Sequence, residues 1–267
     1  MLGALAGHGL TTQSSPGFEK LLMRLPLIIL FNWATVFIFD LANQRLPESV
    51  QEDLANKPWR PIPTGKVTRE QTRRGMLIAI PLVLALNTAM GVWRETSLIF
   101  VLTWLYNDLK GGDEIIRDLI ISVAFGLYNH ASLKLAVDAD TEITQQGYIW
   151  ITLISGVILT TMQVQDLKDQ AGDKGRDRRT IPLVFGDSFS RWSIAWLVLL
   201  WSPICVLFWG LNLWAYAVPM SIGFYLVFQV LGKRDVKADA KAWRLWCLWM
   251  MVLYVLPVIY CSQTVIS

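Results

Sequence analysis

Long apolar stretches alternate with short charged clusters along almost the whole chain. A membrane-crossing helix needs about 20 mostly apolar residues. By that measure segments 21–46, 73–92, 97–109, 113–137, 144–166, 190–209, 212–231 and 241–263 predict eight spans, of which 97–109 (SLIFVLTWLYNDL) is the shortest. The first twelve residues, MLGALAGHGLTT, are apolar and small but too short to cross, and read as the end of a further helix. The pattern predicts an all-α polytopic membrane bundle, with eight full transmembrane helices plus a truncated first helix, as one domain over 1–267.

Charge supports this topology. The segments after 21–46, 97–109, 144–166 and 212–231, with the adjoining helix ends, hold twenty of the 24 Lys and Arg residues. The opposite face keeps only Lys20, Arg24, Arg94 and Lys134. Positive charge gathers on the cytoplasmic side of membrane proteins, so the basic loops are expected there; an endoplasmic reticulum membrane is expected if the source is eukaryotic. If 97–109 did not cross, this asymmetry would largely collapse. Composition agrees: 54% of residues are hydrophobic and 17% charged, against roughly 25% charged in soluble domains. A net charge of +3 is too small to suggest a nucleic-acid partner, and no obligatory protein partner is inferred. Cys205, Cys247 and Cys261 lie in or beside apolar stretches without metal-site or CxxC spacing, and read as packing residues.

The chain also echoes itself. DLANQ at Asp40–Gln44 returns as DLKDQ at Asp166–Gln170, 126 residues later. Each follows an apolar segment and leads into a basic loop ending in Ile-Pro, NKPWRPIP at Asn56–Pro63 and RDRRTIP at Arg176–Pro182. The repetition predicts a duplicated helix–loop–helix unit whose two acidic ends face each other. On a continued helix Asp166, Asp169, Asp173 and Asp177 would fall within an arc of roughly 80°, although Gly172 and Gly175 weaken helix beyond Asp169. Clustered carboxylates stay ionised together only beside a cation. Oxygen ligands at a helix end suit Mg²⁺, commonly completed by phosphate oxygens, and Arg and Lys match the same phosphate. The first cluster offers Asp40, Asn43, Gln44, Glu48, Glu52 and Asp53, with Lys57 and Arg60 following; Pro47 should end or kink its helix. Charged loops beside membrane helices are ordinarily topology signals alone. Two such clusters on one face, with matching tails, point instead to a molecule with a diphosphate head and a hydrocarbon tail.

These residues resemble the UbiA superfamily of intramembrane prenyltransferases. The family's second motif, DxxDxxGD followed by a basic stretch and Thr-x-Pro, is met by Asp166, Asp169, Gly172, Asp173, Arg179, Thr180 and Pro182. The first, NDxxDxxxD followed by xxNKPxRPxPxG, is met by Asn43, Asp53, Asn56, Lys57, Pro58, Arg60, Pro61, Pro63 and Gly65. Tyr106 and Lys110 match a third signature, YxxxK. The resemblance implies nine helices with both motifs (loops 43–65 and 166–182) cytoplasmic, and makes residues 1–12 the remnant of the first helix. Gln44 stands where the family has its first Asp, Ser49 where it has the middle one, and the spacing is two residues longer, leaving Glu48 or Glu52 to substitute. This altered pattern is similar to the fungal membrane-bound UbiA-type terpene cyclases, which ionise a prenyl diphosphate and fold the allylic cation onto its own double bonds.

What the resemblance implies is a Mg²⁺-dependent ionisation of farnesyl or geranylgeranyl diphosphate. Asp169, Asp173, Asp53 and Asn43, with Glu52, form the catalytic set; Asn43, Asp53, Asp166, Asp169 and Asp173 hold the metal. Lys57, Arg60, Lys110 and Arg179 neutralise the diphosphate, with Tyr106 donating a hydrogen bond. Among the 13 Trp residues, Trp93, Trp192, Trp209, Trp214 and Trp243 fall near span ends and read as an interface belt. Trp33, Trp104, Trp196, Trp201, Trp246 and Trp249 sit deeper and are candidates to line the tail cavity. Asn87 and Asn129 are expected as interhelical hydrogen bonders and His130 as a packed histidine. The alternative is a UbiA-type prenyltransferase moving the same tail onto an aromatic acceptor. An ion-coupled transporter is a remote alternative, because transporter ion sites usually lie near the midplane on broken helices.

Overall fold

A computed structural model describes residues 2–266, with side chains described for all of these except Leu2, Ala55, Asn56 and 264–266. The side chain of Asn56, a member of the first motif, therefore lies outside the described set. Eleven α-helices make the body of the molecule: α1 (Gly17–Gln44), α2 (Pro47–Asn56), α3 (Arg69–Ala89), α4 (Trp93–Asn107), α5 (Arg117–Ala136), α6 (Gln145–Thr161), α7 (Gln170–Gly175), α8 (Ile181–Phe185), α9 (Asp187–Phe208), α10 (Ala217–Leu231) and α11 (Val236–Ile266). Among the described residues there is no strand, only one isolated bridge between Thr11 and Ile143.

Among the described residues six segments are long and apolar enough to cross a membrane: Gly17–Gln44, Arg117–Ala136, Gln145–Gln165, Asp187–Phe208, Leu213–Leu231 and Val236–Gln263. They correspond to six of the eight expected spans. The other two, 73–92 and 97–109, are helical as α3 and α4, but neither meets that measure. Helix α4 has 15 residues, a rise of only ~22 Å. Helix α3 opens with Arg69, Glu70, Arg73 and Arg74 in its first turns, where apolar residues would be needed. The pair packs together and against α1. Asn87 ties the three helices, its amide donating to Thr35 at 3.1 Å and Thr96 at 2.9 Å. Leu2–Gly9 forms a short 3-10 segment broken at Gly7 (φ 51°), lying against α11.

Both acidic segments are shaped by breaks. Pro47 is the first residue of α2, where its missing N–H costs nothing, so α1 stops at Gln44 and the chain turns back. After α6 the chain tightens into a 3-10 turn at Met162–Gln165 before α7 begins. The four aspartates therefore do not share one continuous helix. Asp166 follows the 3-10 turn, Asp169 precedes α7, Asp173 is inside it, and Asp177 sits in a left-handed conformation (φ 61°). Helix α2 packs on α7, bringing the two acidic segments together.

Candidate active site

The two segments enclose one polar cavity of about 190 Å³. Asn43, Glu52, Asp53, Lys57 and Arg60 reach it from the first segment, and Asp166, Asp169, Asp173 and Arg178 from the second, with Tyr106, Arg117 and Gln165 completing the wall. Below it lies a largely apolar cavity of about 540 Å³. Phe39, Tyr106 and Gln165 line both spaces and form the junction between them. The Phe39 and Tyr106 rings meet edge to face at 5.3 Å. Gly112 lies so close beneath Tyr106 that a Cβ there would stand 2.5 Å from the ring, so the Gly111–Gly112 turn seats this phenol.

Every acid of the chamber is tied to a base. Arg60 grips both carboxylate oxygens of Asp53 at 2.9 and 2.8 Å. Arg178 reaches Asp173 at 2.9 Å, Asp113 at 3.1 Å and Glu52 at 3.2 Å. Arg176 holds Glu52 at 3.0 Å and Ser49 at 2.9 Å, linking the two segments directly. Arg117 joins Asp118 and Asp166, and Lys168 joins Asp169. Asn43 donates to Asn107 at 3.1 Å. Burial raises the Asp173 carboxyl above the usual carboxylate range, with Arg178 pulling it down. Asp166 is likewise raised by burial, against Arg117.

Two of the expected diphosphate ligands stand outside this lining. Lys110 pairs with Glu48 at 2.9 Å, and Arg179, 62% exposed, with Glu114 at 3.5 Å. Two other cations stand in the lining, Arg117, which belongs to no motif, and Arg178, the neighbour of the motif's Arg179. A signal for Arg117 existed: a cation in the first turn of a helix opposes the helix dipole and calls for an acidic partner. The tryptophans also depart from expectation. Among the described residues none lines the apolar cavity, whose aromatic wall is Phe39, Tyr106, Phe125, Tyr128 and Tyr254. Trp209 is buried against Trp150, Phe208 and Tyr260 instead of lying in an interface belt. His130 is packed as expected, 2.9 Å from Glu95 and stacked on Tyr148.

The donor set tests the fit to a divalent cation. The chamber offers oxygen ligands alone from its acids and amides, which suits a hard ion. Asp173 Oδ2 is buried without a hydrogen-bond partner. Among the described residues, however, no three acidic, His or Cys side chains converge to hold an ion by themselves. A cation held at the free Asp173 oxygen would therefore need further ligands from a bound molecule.

A helical bundle with six membrane-length apolar helices and an ionic chamber above an apolar one defines an integral membrane protein of the intramembrane-cavity type. The profile of the UbiA prenyltransferase family matches residues 1–252, and the chain belongs to that family. It is 30% identical over 175 residues to diterpene cyclase eriG of Hericium erinaceus, covering 64% of this chain and 56% of the relative. It is 34% identical over 181 residues to polyprenyl transferase eriF of the same organism, covering 64% and 59%. The matched stretches thus span under two thirds of those relatives' own length. The fold is that of a solved digeranylgeranylglyceryl phosphate synthase, with a TM-score of 0.66 at 18% identity, covering 98% of this chain and 91% of that one. Prenyl diphosphate enzymes of the family generally use a divalent metal ion.

Proposed function

We propose that the chain is a Mg²⁺-dependent membrane-bound terpene cyclase, ionising farnesyl or geranylgeranyl diphosphate and cyclising it with release of diphosphate. The observation that carries this reading is the junction: acids and guanidiniums surround a small chamber that shares Phe39, Tyr106 and Gln165 with an adjoining apolar cavity. Its volume of about 540 Å³ falls in the range of ligand pockets.

The chain's own residues then have separate tasks. Arg60, Arg117 and Arg178 exchange their carboxylates for diphosphate oxygens, since guanidinium forks fit either partner. That exchange frees Asp53, Asp166 and Asp173, which with Asn43 and Asp169 would hold the metal, Glu52 keeping Arg176 in place. Mg²⁺, when bound, supplies charge neutralisation of the leaving diphosphate. Lys57 adds a mobile positive charge, and Tyr106 donates a hydrogen bond at the point where charge develops. Lys110 and Arg179, at the rim, draw the anion in. The apolar walls keep water from the allylic cation, and the faces of Phe125 and Tyr128 attract it. The motif loops are assigned to the cytoplasmic side on the positive-charge bias, an assignment that requires the short α4 to cross as well.

The likeness to polyprenyl transferase eriF favours a second reading, transfer of the same prenyl group to an acceptor. Purified protein incubated with Mg²⁺ and farnesyl or geranylgeranyl diphosphate, without acceptor, separates the two. A cyclic hydrocarbon or alcohol supports the cyclase; substrate that stays unchanged until an acceptor is added overturns it.

A further inference from the structure

The apolar cavity has an end remote from its charged mouth, and two polar residues close it. Asn129 and Tyr254 line both the large cavity and a separate space of about 50 Å³ beyond it. The small space is otherwise walled by residues such as Leu10, Leu133, Trp150 and Ile154. Asn129 Nδ2 donates to Tyr254 Oη at 2.9 Å. This bond joins α5, which lies against α1, α4 and α6, to α11, which lies against α9 and α10; the Leu2–Gly9 segment touches both. The pair is therefore a strut across the bundle. Asn129 follows Arg117 by twelve residues on α5, which puts the strut ~18 Å from the ionic chamber.

An amide among apolar side chains is costly unless it is hydrogen-bonded, and nothing in the ionisation of a diphosphate calls for one at this depth. The strut does, however, place a rigid aromatic ring between the tail cavity and the space behind it. We infer that the Asn129–Tyr254 strut is the floor of the tail cavity and sets the length of prenyl chain the protein accepts. This role rests on reading the two cavities as a prenyl diphosphate site, but not on what is done with the bound chain. Shortening Tyr254 would join the 50 Å³ space to the cavity and admit a longer tail. Phe at 254 keeps the ring and loses only the hydrogen bond. Leu133, absent from the large cavity's wall, can be shortened without breaching the floor.

The test measures competition binding of unreactive geranyl, farnesyl, geranylgeranyl and geranylfarnesyl thiolodiphosphates to the full chain in nanodiscs. The wild type is expected to disfavour chains one isoprene unit beyond its optimum by ~10-fold or more, as filled apolar pockets reject added methylenes. Tyr254→Ala moves the optimum to the longer chain, Tyr254→Phe keeps it, and Leu133→Ala alone leaves it unchanged but widens the shift in Tyr254→Ala. Should Tyr254→Ala fail to fold, Tyr254→Leu and Asn129→Ala are expected to move the optimum the same way. A wild-type ranking in those of Tyr254→Ala, Tyr254→Leu and Asn129→Ala that fold, an equal shift from Leu133→Ala alone, or a wild type that binds no chain at all overturns the floor. A wild type that discriminates by length yet releases no diphosphate without acceptor ends the cyclase reading and supports the floor.

Discussion

The ionic chamber takes its walls from the ends of α1 and α4, the start of α5, and the short segments around α2 and α7, whereas the cavity beneath it is walled by α1, α4 and α5, with Met162 and Gln165 from the turn after α6 and Tyr254 from α11. The upper wall consists of ion pairs with fixed partners, such as Arg60 on Asp53 and Arg178 on Asp173. The lower wall consists mostly of rings and aliphatic groups, with the uncharged Asn32–Ser132 and Asn129–Tyr254 hydrogen bonds as directional contacts. Removing a directional partner leaves a buried charge uncompensated; changing an apolar wall alters shape while other contacts persist. The upper chamber should therefore control whether the reaction occurs, and the lower one which product forms.

The sharpest break of this division is at the metal. Chelation should abolish diphosphate release, and added Mg²⁺ should restore it; a cyclase rate untouched by chelator would remove the cation from the scheme. Asp173→Asn should lower turnover by ~1,000-fold, the scale of losing one group that stabilises transition-state charge, while any residual product keeps the wild-type skeleton. A changed skeleton would mean that the two chambers are not separable.

Arg178→Gln should cost less, ~100-fold, and it carries a pH signature. In the proposed scheme Asp173 acts ionised; burial raises its pKa, and Arg178 lowers it. Without that guanidinium the carboxyl holds its proton to higher pH, so the acid limb of the rate profile should move upward. A limb that stays in place would assign it to another group. In the lower chamber Tyr128→Leu should slow turnover only ~3- to 30-fold, the worth of one cation–ring contact, but should redistribute products in gas chromatography. The smallest effect is expected outside both chambers. Asn87→Ala loses the bonds to Thr35 and Thr96 and should destabilise the bundle by ~1 kcal/mol, lowering Tm with unchanged turnover per folded molecule.

The acidic segments were legible from the chain because their chemistry is local. Lys57 and Arg60 follow Asp53 within one turn and loop, and Asp166, Asp169 and Asp173 lie within eight residues, so their spacing already implied a shared polar site. The tail cavity was not legible. In a bilayer both the lipid-facing and the inward faces of a helix are apolar, so hydrophobicity cannot say which tryptophan turns inward. Trp33 and Trp196, placed deep in their spans by position, are 76% and 69% exposed on the outer surface.

By itself the sequence determined the helical class, six of the membrane-length segments, the break at Pro47 and the acids gathered in the two segments, because each depends on composition and spacing within a few turns. The tertiary structure alone decided that Arg117 and Arg178 face the chamber while Lys110 and Arg179 do not, that Phe and Tyr rather than Trp line the cavity, and that Asn129 meets Tyr254. Those outcomes depend on how each helix is rotated about its axis, and that rotation is settled by packing between segments far apart in the chain.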